Sequence, residues 1–153
     1  MWSNGEGLKR STELTLRAWI LVVAYLVLIF GVSSIPQAQL SHRCFRISDK
    51  VAHAAEYAGF GLLLMFALRG TFKRARRWVL MLVVVALGAA VGALDEVYQI
   101  TVPGREGDVL DWTADVFGVV LGVAVAVGLD TLIARRRGAG GSAEALEPTP
   151  DGR

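Results

Sequence analysis

The chain has little of what soluble active sites are usually built from. It has one cysteine, Cys44, which excludes an intrachain disulfide and a paired-cysteine zinc site. It lacks a HExxH helix and a Ser-His-Asp signature. Its net charge is only +2, so a nucleic-acid partner has no electrostatic support. Charged residues make up 20% of the chain and fall in short clusters, leaving long stretches almost free of them. Those stretches hold what the chain does have. Hydrophobic residues are 54% of the total, and mean hydropathy is +0.48. One core of a 153-residue domain cannot bury that much apolar surface, so the segregation points to lipid as the solvent.

A membrane-spanning helix needs roughly 20 apolar residues. Four stretches meet this, at about 18–35, 51–68, 78–94 and 112–133. The sequence therefore predicts an all-α bundle of about four transmembrane helices. Strands are excluded because the runs are continuously apolar, and in lipid a helix satisfies its own amides. Pro36 closes the first run, and Pro103 requires the third helix to end by about Thr101. The first run is longer than a signal-peptide core, and no clean small-x-small cleavage site follows it.

Basic residues set an expected orientation. Lys9, Arg10 and Arg17 precede the first span. Arg69, Lys73, Arg74, Arg76 and Arg77 lie between the second and third, and Arg135, Arg136 and Arg137 follow the fourth. With four spans all three groups share one side, which predicts that both termini are cytoplasmic. Arg43, Arg46, Lys50 and Arg105 lie on the other side, among many acids. Trp19, Trp78 and Trp112 at span ends suit an interfacial belt. Residues 1–137 form the transmembrane domain on this reading. Residues 138–153, GAGGSAEALEPTPDGR, read as a disordered cytoplasmic tail.

The candidate site is polar residues gathered at one end of three spans. Asp49, His53, Glu56 and Tyr57 are spaced by three and four, so they share a helix face, with Lys50 beside them. Asp95, Glu96 and Gln99 end the third span, and Gly92 and Gly88 continue the Asp95 stripe inward. Asp111 and Asp115 open the fourth, followed on the same stripe by Gly118 and Gly122. Small residues at this spacing let helices approach, so the polar tips should face neighbouring helices rather than lipid. Bland readings stand beside this one. Asp111 suits a helix cap, Tyr57 an interfacial belt, and Glu96, Glu106 and Asp108 solvated rim acids. His53 reads equally as a packing histidine, and Lys50 and Arg105 as surface counter-charges or ligands for lipid phosphate.

Two segments carry a family resemblance. DKVAHAAEYAGFGLLL opens a span with an acid, a His and a Tyr; DEVYQITVPGREGDVLDWTADVFGVVLG joins Asp-Glu, Gln, Pro-Gly-Arg and two Asp before paired glycines. Together they resemble the signatures of VanZ-like membrane proteins, over about Asp49 to Gly122. The resemblance implies family-type positions at Asp49, His53, Tyr57, Asp95, Glu96, Gln99, Arg105 and Asp111. Asp115 departs from it, standing where the family usually has Asn. The family takes its name from a protein associated with low-level resistance to teicoplanin-type glycopeptide antibiotics, which implies a cell-envelope role.

Three mechanisms fit these residues. The favoured one is non-enzymatic: the outer polar cluster binds an envelope lipid or a glycopeptide-like amphiphile. The second is an intramembrane hydrolase or transferase acting on lipid-linked intermediates, in which His53, Asp49, Asp95 and Asp111 hold a divalent cation. The third is a small transporter, which four helices would support only by oligomerising. A purely packing role for the cluster is the remaining alternative.

Overall fold

The computed structural model describes residues 3–36 and 49–144. Within them the chain is all helix and turn. The elements are α1 (Ser3–Ser33), α2 (Asp49–Thr71), α3 (Arg77–Gln99) and α4 (Val109–Glu144). Each contains a segment long and apolar enough to cross a membrane: Lys9–Ser33, Asp49–Thr71, Arg77–Gln99 and Val109–Arg136. The expected loop residues Arg43, Cys44 and Arg46 lie outside the described residues.

The helices overrun the apolar runs that announce them. The first and fourth do so most, because adding a residue to a formed helix costs far less than starting one. One consequence is a correction. Residues 138–144, read from composition as the start of a disordered tail, continue α4 to Glu144. Residues 145–153 lie outside the described residues.

The helices run alternately up and down, so α2 and α4 point the same way. α2 is the central element, packing against all three others. Of its apolar segment 44% is buried, against 11% for α1. The core is Ile29, Tyr57, Phe60, Met65, Val84 and Val119 with their neighbours. Ile20, Leu82, Val125 and Leu132 are each more than half exposed. Apolar surface on that scale is stable only in hydrocarbon.

Lipid tails offer no hydrophobic drive toward association, so close backbone approach holds such helices together. The α2–α4 contact is the most extensive in the fold. A Cβ on Gly118 would collide with the Ala54 carbonyl, and one on Gly122 with the Ala58 carbonyl. From the other side, a Cβ on Gly61 would stand 2.7 Å from the Val119 carbonyl oxygen. Gly88 and Gly92 serve the α3–α4 contact, against Val119 and against Asp115 and Trp112.

The two ends of the bundle differ. At the basic end Asp130 pairs with Arg69 and with Arg77. Trp19 Nε1 donates to Thr71 Oγ1 at 2.9 Å, and Lys73 Nζ to Ser11 Oγ at 2.6 Å. The opposite end gathers the start of α2, the end of α3, the start of α4 and the end of α1.

Candidate functional site

The acidic end is built from helix termini joined by one tight turn. After α3 the chain unwinds through Ile100–Val102. It then reverses at Pro103-Gly104, where Arg105 N donates to the Val102 carbonyl at 3.1 Å. Gly104 has φ 76°, the left-handed region such a turn demands at its third position. The reversal carries Arg105 back over the tip of α3.

Arg105 then acts as a strut. Its Nε donates to the Ile35 carbonyl at 3.2 Å and its Nη1 to Gln99 Oε1 at 3.1 Å. Gln99 passes the chain inward, donating through Nε2 to Asp95 Oδ2 at 3.1 Å. Ser33, at the end of α1, donates to the same oxygen at 2.9 Å. Asp95, only 1% exposed, is thus held by two neutral donors from two helices. Ser33 was not among the residues the sequence pointed to. Its only signal is a hydroxyl closing an otherwise apolar run.

On the facing side, His53 Nδ1 lies 2.9 Å from Asp115 Oδ1, joining α2 to α4 in the interior. Glu96 is 8% exposed, not a solvated rim acid. It sits beneath the turn, and its Oε2 accepts the Asp108 N–H at 2.8 Å. Asp108 in turn is the cap of α4: its Oδ1 accepts the Leu110 N–H at 2.8 Å, which corrects the reading of Asp111 as the cap. Asp111 instead pairs with Lys50 Nζ at 2.8 Å, and Asp108 shares that ammonium at 3.1 Å. The Leu110 amide and then Lys50 hold the Asp108 carboxyl below the ordinary aspartate value.

Other candidates fall as follows. Tyr57 is fully buried and edge-on to Phe60, which rules out the interfacial belt. Glu56 is half-buried, and its carbonyl accepts the Tyr25 hydroxyl at 3.0 Å. Asp49 is exposed. Trp112 turns inward, its Nε1 donating to the Ala89 carbonyl at 2.9 Å, while Trp78 stays exposed as a belt residue would.

Two groups place possible metal donors within 4.8 Å of one another: Asp49, His53 and Asp111, and, deeper, His53, Glu96 and Asp115. Three of the four metal candidates read from the sequence meet in the first. Asp95 belongs to neither. The buried atoms Tyr57 Oη, Asp95 Oδ1, Glu96 Oε1 and Asp115 Oδ2 have no hydrogen-bond partner among the described residues.

Beside this cluster a groove of about 620 Å³ runs between α2 and α4. Lys50 stands at its polar end. Ala54, Ala58 and Ala114 form part of its wall, and Phe117 and Leu121 lie farther down.

Four apolar helices sharing one buried polar end define a multi-pass membrane protein. The VanZ/LLP1 family model matches residues 12–133, and the chain belongs to that family. No curated protein and no solved structure matches it.

Proposed function

We propose that the protein is a cell-envelope component of the bacterial cytoplasmic membrane, with both termini cytoplasmic, and that it binds a lipid or other amphiphile at its outer, acidic end. The observation that carries this reading is the groove between α2 and α4. It is largely apolar, with Ala54, Ala55, Ala58 and Ala114 in its wall, and it ends at Lys50, whose ammonium pairs with Asp108 and Asp111. An acyl chain fits the first part and a polar head the second. Lys50 offers an ammonium to phosphate or carboxylate, and the surplus carboxylates offer acceptors to an amine. The family's name adds glycopeptide resistance as the biological setting, by capture of an envelope lipid or of the drug itself.

The test is occupancy of the groove. Full-length protein extracted in mild detergent should retain lipid in native mass spectrometry. Ala114→Phe, which fills the wall without touching the polar cluster, should lose it while remaining folded. Equal retention by wild type and variant would defeat the proposal. A second reading, a metal-dependent hydrolase or transferase on lipid-linked intermediates, draws on the meeting of His53 with carboxylates. It requires turnover of a lipid phosphate by the purified protein. Transport has weaker support, because the middle of the core is Phe60, Leu64, Met65 and Val84, all apolar.

A further inference from the structure

Four carboxylates, Asp95, Glu96, Asp111 and Asp115, are buried within one end of a small membrane bundle, each less than one-tenth exposed, and Asp111 has the Lys50 ammonium beside it. Carboxylates in such surroundings need a proton or a cation at close range. Asp95 has Ser33 and Gln99. Asp95 Oδ1 is without a partner among the described residues too, but two donors hold its Oδ2, whereas Glu96 and Asp115 have one donor each. These two each have one oxygen hydrogen-bonded and one, Oε1 and Oδ2, sealed from solvent with no partner among the described residues. Asp115 Oδ2 points at α3, lying 3.0 Å from where a Cβ of Gly92 would stand. Glu96 is one helical turn along from that glycine. The glycine therefore leaves open the space into which the Asp115 carboxylate is turned. His53 completes the group from α2, its donor atom within 4.8 Å of those of the two acids.

We propose that His53, Glu96 and Asp115 bind one divalent transition-metal ion, of the zinc or manganese kind, which ties α2, α3 and α4 together. One imidazole with two carboxylates suits these ions better than magnesium or calcium, which favour oxygen alone. The ion takes the place of the proton now lying between His53 Nδ1 and Asp115 Oδ1. Bonds of about 2.0–2.1 Å to each ligand ask for a ligand spacing of roughly 3.3 Å, so the 2.9 Å separation opens slightly. The orphan oxygens then have a counter-charge. On the α3–α4 side Glu96 also borders a cleft of about 260 Å³, with Gly107, Asp108 and Trp112. The assignment moves the ion inward from the outer trio of Asp49, His53 and Asp111, and it is independent of what fills the α2–α4 groove.

The experiment is metal titration of full-length protein in detergent, stripped with a chelator and read by bound-metal analysis and melting temperature. Wild type should take up one equivalent of Zn²⁺ or Mn²⁺ per chain and melt higher with it. Binding should tighten as pH rises, because a proton is displaced. Substituting Co²⁺ should give visible ligand-field bands. Glu96→Gln keeps an amide oxygen for the Asp108 N–H, so it should remain folded and bind at least about tenfold more weakly. Folded wild type that takes up no metal would overturn the site and leave a proton in its place. Equal binding by Glu96→Gln would also overturn it. Loss in Asp49→Asn with retention in Glu96→Gln would overturn it in favour of the outer trio. None of these outcomes bears on lipid retention, so the two proposals fail separately.

Discussion

His53 and Asp115 show what a single residue type decides. Asp115 is inaccessible to solvent, and its one hydrogen-bond partner among the described residues is an imidazole on another helix. Asp115→Ala should destabilise the bundle by about 3 kcal/mol, since it strands a buried polar partner. Asp115→Asn should cost much less, because an amide oxygen still accepts the imidazole N–H. Denaturant unfolding in micelles measures both. Asp108 belongs to the same scale but faces water. Its folded pKa is depressed, so its cap and its pairing with Lys50 are fully present above the ordinary aspartate value of 3.8. They are lost as pH falls from there through the lower folded value. The acid-side decline in melting temperature should therefore flatten in Asp108→Asn. At this scale the sequence was a partial guide. Spacing put His53 on a shared face but could not choose Asp115 over Asp111 as its partner. That choice depends on the rotation of α4 against α2, which Gly118 and Gly122 set.

Among elements, the informative positions are the glycines. Gly118 and Gly122 lie on α4 where two Ala carbonyls of α2 come against them, whereas Gly128, on the same helix, has open space around it. Gly118→Val should destabilise by about 1–3 kcal/mol or separate the helices, and Gly128→Ala should be neutral. Thermal unfolding of both variants in detergent checks the contrast. The existence and order of all four helices were legible from their apolar runs, since hydrocarbon leaves an apolar segment few alternatives. Their ends were less so. Composition marks where a helix stops being greasy, but α1 and α4 continue as polar helix beyond that point. The end of α3 ahead of Pro103 was visible. The consequence of the turn that follows, an Arg105 braced between Ile35 and Gln99 and a Glu96 enclosed beneath Asp108, was not. It arises from contacts between residues distant in the chain, which periodicity does not encode.

For the whole molecule, the asymmetry of charge between the two ends is the controlling feature. Lys73, Arg74 and Arg76 sit between α2 and α3, while Glu106 and Asp108 lie between α3 and α4. In a Cys44→Ser background, Glu106→Cys should react with an impermeant thiol reagent added to intact cells, and Ala75→Cys only after permeabilisation. The reverse pattern would invert the proposed topology and place the acidic end inside. The groove between α2 and α4 carries a separate consequence. It opens sideways between two spans, so the proposed guest would reach it by drifting in the plane of the leaflet and not by diffusing from the aqueous phase. Occupancy would then follow the mole fraction of guest among the surrounding lipids. Each added methylene would count first through partitioning, at about 0.8 kcal/mol, before the protein contributes anything.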